Sequence, residues 1–189
     1  MDAAALFGNL PVLETERLLL RPLAAGDAEA IFAYASDPEV ARWTTWEAHD
    51  TVEASRGFLA MCLDAYAGGE HGPWALIAKD EGRLCGTVGF TYWRQPHRRA
   101  ELGYALARRL WGRGLMTEAV REMLRFGFAE MGCNRIEARC VPENIGSARV
   151  MEKVGMTFEG VLREQMFVKG SFVSLRLYSV LRREWQQHG

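Results

Sequence analysis

The sequence predicts an α/β fold: a mixed, mostly antiparallel central sheet flanked by helices, with one parallel crossover near Glu101. Three observations lead there. Trp74–Asp80 and Leu84–Trp93 are strand-like runs joined by the turn Asp80-Glu-Gly-Arg83. From Glu101 to Met131 a buried strand, a glycine-containing turn rich in cations and a long amphipathic helix follow one another. Phe158–Val168 and Phe172–Leu181 then form a closing hairpin about Lys169-Gly170. Antiparallel strands come first, and strand–helix–strand–helix–strand comes second.

At 189 residues the chain reads as a single domain over 1–189, long enough to bury a real core. It shows no repeat, linker or low-complexity tract. No apolar run has membrane-spanning length and the first thirty residues lack a signal pattern, so a cytoplasmic location without membrane contact is expected. Cys62, Cys85, Cys133 and Cys140 have neither CxxC spacing nor paired histidines nearby, and are expected as small buried hydrophobes with no metal site. The net charge of −1 hides an asymmetry: residues 1–80 carry 13 acidic and 5 basic side chains, residues 81–189 carry 11 and 18. A basic second half suits an anionic ligand and an acidic first half a cationic one, unless the halves neutralise each other across the fold.

In chain order, residues 1–13 read as a loose lead-in. Glu14–Pro22 is a strand with its apolar centre at Leu18–Leu20, ended by Pro22. Asp27 caps a helix with Ala30, Ile31, Tyr34 and Ala35 on one face, which Asp37-Pro38 breaks. Trp43 and Trp46 fall in a loop, where they either line a substrate pocket or plug the core. Asp50-Thr-Val-Glu53 is a capping-box pattern starting a helix with Phe58, Met61, Cys62 and Ala65 inward, ending in Gly68-Gly69. The polar loop Gln95–Arg99 leads into a strand over 100–107. In the helix after the turn, Ala119, Val120, Met123, Leu124, Gly127, Phe128 and Met131 recur at three and four. Arg135–Val141 is a strand stopped by Pro142, and a short helix runs from Asn144 to Val154, closed by Gly155.

The turn Arg108–Met116 is the chemical centre. A helix N-terminus has unpaired N–H groups and the positive dipole end, so a strand–turn–helix makes an anion site. Arg108, Arg109 and Arg113 crowd it, either on a phosphate or as a solvated surface turn. Gly112-Arg-Gly114 is not a dinucleotide fingerprint, because Thr117 stands where a third glycine is needed, and the Gly-Lys-Ser/Thr end of a P-loop is absent.

The stretch Trp111-Gly-Arg-Gly114-Leu-Met116 resembles the acyl-CoA signature of the GCN5-related N-acetyltransferases (GNAT), which lies between the fourth strand and its helix. Gly114 fits it, while Trp111 and Met116 depart from the general pattern in a way usual for the RimJ/RimL-type ribosomal-protein N-terminal acetyltransferases. Glu14-Thr-Glu-Arg-Leu-Leu-Leu-Arg-Pro22, Glu101-Leu-Gly-Tyr104 and Glu143–Met156 resemble that branch too. The resemblance implies a GNAT fold with a parallel, splayed strand pair holding acetyl-CoA. It implies pantetheine pairing along Tyr104, Ala105 and Leu106. The pyrophosphate would meet the N–H groups from Arg113 through Gly114, Leu115 and Met116 to Thr117. A side chain at Gly114 would hold the backbone off the phosphate. Asn144, a plain N-cap by its position, is also implied to face the pantetheine amide.

Ser147 is either a plain small helix residue or, as the resemblance further implies, the group that helps the thiolate leave, because Met151 stands where many members have a tyrosine acid. Glu101 begins the strand lining the splay and is implied as general base, unless it pairs with Arg98 or Arg99. An α-amino group of pKa about 7.7 is roughly 15–20% neutral at pH 7, and a lysine at about 10.4 less than 0.1%. An N-terminal amine therefore needs only a carboxylate, directly or through one water. Transfer is then direct, through a tetrahedral intermediate held by backbone N–H, with no enzyme-bound acyl group.

The expected function is acetyl transfer from acetyl-CoA to a protein N-terminal amine. A small amine acceptor, such as a polyamine or aminoglycoside, and a non-catalytic acyl-CoA-binding module are the alternatives. Nucleic acid is not an expected partner, since Arg98-Arg99 lacks a basic stripe, and a homodimer is left open.

Overall fold

Leu18 and Leu20 bury the same face of a short strand, and the residues before them turn back to pair with it. The computed structural model describes residues 6–185. In it β1 (Leu13–Glu14) and β2 (Leu18–Pro22) are antiparallel neighbours. The single strand expected over 14–22 is thus a small hairpin. Thr15 bonds both ways with Leu18 across it, which a run of strand-forming residues does not announce. The lead-in is not loose from Phe7 on: Phe7 is 1% exposed and meets Trp93 edge-on, and Trp74 donates its indole N–H to Pro11 O. Residues 1–5 lie outside the described part.

Three helices follow: α1 (Ala28–Ala35), α2 (Pro38–Ala41) and α3 (Val52–Ala67). Asp27 precedes α1 but does not cap it. Its carboxylate takes two guanidinium bonds from Arg21 at 2.7 Å and one from Ala24 N at 2.8 Å. Asp37 caps α2 through Glu39 N, with Pro38 at the first helical position. The cap of α3 is Thr51, one residue along from the expected start. Its inner face is turned from the expected one: Ser55, Leu59 and Cys62 are buried while Met61 is 66% exposed. The polar Ser55 goes inside because His49 Nδ1 lies 2.7 Å from its hydroxyl.

β3 (Pro73–Ala78), β4 (Arg83–Arg94) and β5 (Arg99–Leu106) extend the sheet antiparallel, and α4 (Leu115–Ala129) crosses over to β6 (Arg135–Cys140), parallel to β5. Then come α5 (Ile145–Lys153) and the hairpin β7 (Thr157–Val168), β8 (Ser171–Leu181), with a last turn of helix at Arg182–Trp185. The eight strands are ordered β1-β2-β3-β4-β5-β6-β8-β7.

Period-two alternation assigns the two faces. Trp74, Phe90 and Leu102 lie on the face under α4, where Phe126 packs 5.3 Å from Trp74 and 6.5 Å from Phe90. A Cβ on Gly127 would come within 2.6 Å of Ile136 Cδ1, so α4 rests on the sheet through that glycine. Thr87 points the other way, toward Tyr34 of α1. Phe126 is fully buried between two aromatic rings. Phe126→Ala should lower unfolding free energy by about 3–5 kcal/mol in a denaturant titration.

Candidate active site

A parallel pair of strands stays paired only while both run straight. The register of β5 with β6 covers Arg99–Leu102 against Arg135–Ala138 and stops there. Beyond it β5 continues to Leu106 on β4 alone, and β6 to Cys140 on β8 alone. The sheet therefore opens into a splay. The edge of Gly103–Leu106 that would face β6 has no strand partner. An extended amide-containing chain can add to such an edge by backbone hydrogen bonds.

The splay opens toward the turn before α4. Arg108–Leu110 form a single 3-10 turn, Gly112 and Gly114 take φ of 74° and 79°, and Gly114 is the N-cap of α4. Those positive φ values are why glycines stand there. Trp111 donates its indole N–H to Leu106 O at 2.8 Å, tying the turn to the end of β5. Leu115 and Met116 bury their side chains in the core, so only their backbone can meet a phosphate. The three arginines hold carboxylates: Arg108–Asp37 at 2.9 Å, Arg109–Glu81 at 2.5 Å and Arg113–Asp80 at 3.0 Å. With Lys169–Glu47 at 3.9 Å, three of these pairs join the acidic first half to the basic second half. The halves do neutralise each other at these places.

Glu101 is 7% exposed on β5. It pairs with Arg139 of β6 at 2.5 Å, not with Arg98 or Arg99 as the alternative reading had it. Burial pushes its carboxyl above the usual range; Arg139 pulls the other way, and Glu137, its Cα partner on β6, adds to the rise. Glu137 is itself held by the hydroxyl of Tyr92 and by Arg135 Nε at 2.9 Å. A carboxylate made more basic and fixed by one guanidinium is suited to take a proton from an amine.

Across the splay, Asn144 Oδ1 accepts from Ser147 N at 3.0 Å, so the expected cap of α5 is present. The hydroxyls of Tyr104 and Ser147 are 2.9 Å apart. Met151 is fully buried and offers no donor. All four cysteines are free and buried, as expected, and burial raises the Cys140 thiol near Ser147. A thiol kept protonated is a poor nucleophile.

A family model for the acetyltransferase (GNAT) domain matches residues 17–157. The chain belongs to the GNAT family. It is an N-acetyltransferase of that type. Its relatives include "Uncharacterized N-acetyltransferase p20" of Bacillus licheniformis, 35% identical over 93% of this chain and 99% of that one. The "Putative ribosomal N-acetyltransferase YdaF" of Bacillus subtilis is 35% identical over 56% of this chain and 58% of that one. Among solved structures, a GNAT-family acetyltransferase from Bacillus anthracis superposes with a TM-score of 0.82 at 30% identity, covering 92% of this chain and all of the other.

In this GNAT chain the two loop tryptophans separate. Trp46 packs against the core and lies 5.6 Å from the His49 ring, while Trp43 carries the Arg42 guanidinium 4.5 Å above its face. Lys169, at the tip of the last hairpin, donates to Ala41 O at 2.8 Å and so fastens this loop to that tip. Arg17 is a site residue that sequence reasoning missed. It donates to Arg113 O at 2.9 Å, pairs with Glu118 of α4, and sits 3.5 Å from where a Gly114 Cβ would be. The partners lie about a hundred positions apart, so no local pattern signals them. Arg139 was missed as well. Among the described residues no group of histidine, cysteine, aspartate or glutamate is arranged to hold a metal, and no helix is long and apolar enough to cross a membrane.

Proposed function

We propose that this GNAT enzyme, one catalytic domain, transfers acetyl from acetyl-CoA to the N-terminal α-amine of a protein, in the manner of the RimJ/RimL-type enzymes. The splay carries the reading. It puts a buried, basic carboxylate on one face of β5 and a hydroxyl pair on the other, on either side of a strand edge free to bind pantetheine.

Acetyl-CoA supplies the acetyl group as a thioester. Tyr104, Ala105 and Leu106 offer their unpartnered edge to its pantetheine, with Asn144 facing the amide from α5. The backbone from Arg113 to Thr117 takes the pyrophosphate at the dipole end of α4, worth about 0.3–1 kcal/mol per charge and up to about 2 when partly buried. Arg108, Arg109 and Arg113 exchange their carboxylates for phosphate. Glu101 accepts the proton that the attacking nitrogen loses, and Ser147 hydrogen-bonds the sulfur as it leaves.

Two observations favour an α-amine over a polycation. A carboxylate made more basic by burial matches an amine near 7.7 better than one near 10.4. Three acids of the first half, Asp37, Glu47 and Asp80, each hold a cation of the second half, which leaves fewer to draw a polycation. Trp43 lines the acceptor end, beside the fastened hairpin tip, and Trp46 backs it from the core. The name of the Bacillus subtilis relative points the same way.

Release of free CoA thiol, with a varied panel of N-terminal peptides as acceptors, tests the reading. Turnover of peptides with a free α-amine, abolished by N-terminal blocking, is expected. Silence across that panel with robust acetylation of a polyamine would overturn it.

A further inference from the structure

β5 alternates its side chains across the sheet, so Leu102, Tyr104 and Leu106 share the face covered by α4, while Glu101 and Gly103 share the other. Tyr104 alone in its row ends in a polar atom. Its hydroxyl crosses the splay to α5, 2.9 Å from Ser147 Oγ and 3.3 Å from Ser147 O. Asn144 Oδ1 holds the backbone N–H of the same serine at 3.0 Å. Ser147 is thus fixed at its N–H by Asn144 and at its hydroxyl by Tyr104.

A serine hydroxyl has one hydrogen and two lone pairs, and by itself it rotates to suit any neighbour. A phenol donating to its oxygen fills a lone pair and leaves the serine hydrogen for a second acceptor. The nearer contact of the Tyr104 hydroxyl is the serine oxygen, not the carbonyl. Met151, at the α5 position where the resemblance puts a tyrosine, is buried and has no hydrogen to give. A phenol in this chain comes to α5 from β5 instead, and its partner there is a serine.

We propose that Tyr104 is a positioning residue: its hydroxyl donates to Ser147 Oγ and turns the serine hydrogen onto the thioester sulfur of acetyl-CoA. The proposal rests on the reading of Glu101 and Ser147 given above. In the reaction the nitrogen lone pair forms the new N–C bond, and the C–S bond breaks with its electron pair left on sulfur. The proton lost by nitrogen goes to Glu101. The thiolate is held by the Ser147 hydrogen until water protonates it. Tyr104 keeps its proton throughout, which burial of the phenol favours. A hydrogen bond to a charged sulfur is stronger than one to a neutral thioester, so the arrangement acts on the leaving step more than on binding.

The first readout needs no acceptor. The thiol of bound CoA is titrated by its thiolate absorbance, with desulfo-CoA as the blank that cancels the protein cysteines. In the unaltered enzyme the thiol should ionise at least about half a pH unit lower than in Tyr104→Phe. Ser147→Ala should raise it at least as far, and the double variant no further than Ser147→Ala. The second readout is kinetic, on whichever acceptor is turned over best. Tyr104→Phe should lower kcat about tenfold, with the dissociation constant for acetyl-CoA within about twofold, and should cost nothing more once Ser147 is alanine. Thiol ionisation at one pH in the unaltered and Tyr104→Phe proteins, or losses that multiply in the double variant, would overturn the proposal. If Ser147→Ala is also without effect on the thiol and on kcat, the role given to Ser147 falls with it. If Ser147→Ala matters and Tyr104→Phe does not, only this inference falls. Because the titration uses CoA alone, its outcome is independent of whether the acceptor is a peptide.

Discussion

Glu101→Gln should lower kcat about a hundredfold on a peptide acceptor, and the deficit should depend on pH. General-base catalysis by a placed carboxylate contributes on the order of 10²–10⁴. The size of the loss depends on two titrations. Burial raises the Glu101 carboxyl, so the unaltered enzyme loses its base as pH falls through that raised value. Below it the two proteins converge. Above a pH of about 8 most α-amines are already neutral and need the base less, so they converge again. The gap is widest between the two. Gln keeps an oxygen for Arg139, so the fold and the acetyl-CoA dissociation constant should both be spared. Rate–pH profiles of the two proteins, with the affinity measured by calorimetry, make the check. Profiles that superimpose would remove Glu101 as the base.

Gly114→Val should weaken acetyl-CoA at least tenfold. Two effects have to be separated. A φ of 79° costs an L residue about 1–2 kcal/mol, more for a β-branched one, whatever space surrounds it. The neighbourhood is roomy, since an added Cβ meets only Arg17 Nη2 at 3.5 Å, so folding loses the strain and little else. The second effect is that the new methyl groups stand between the turn backbone and the pyrophosphate. Gly132→Val is the control. Gly132 has φ of 69°, nothing within 4 Å of its added Cβ, and a place after α4, far along the chain from the turn. It should show the same drop in thermal midpoint with no loss of affinity. Equal affinity losses at both glycines, or none at Gly114, would mean the turn does not hold the phosphates.

Both residues behind these predictions were visible in the amino-acid order, but their surroundings were not. Gly114 stands out because the stretch Trp111–Met116 around it resembles the acyl-CoA signature. Glu101 stands out because it begins the strand from which the resembled family draws a general base. Neither pattern could show that Arg17 covers Gly114 or that Arg139 clamps Glu101. Arg17 meets Glu118 and Arg113 across about a hundred residues, and no local rule links such positions. Arg139 lies 38 residues from Glu101, where only the parallel pairing of β5 and β6 puts them side by side.

The inner face of α3 is the same lesson on a smaller scale. One apolar stripe, Phe58, Met61, Cys62 and Ala65, is expected from its sequence, and the buried row instead includes Ser55, partnered by His49. The sequence by itself determined most of the strand and helix order, the glycine turn and the Asn144 cap, because each is a contact within a few residues or a period along one element, and its strand–helix–strand order called for a parallel crossover. The tertiary structure alone decided where β5 leaves β6 and how Tyr104 meets Ser147. It also decided which carboxylate each arginine of the turn holds. Those depend on distances between elements, and local periodicity carries no information about them.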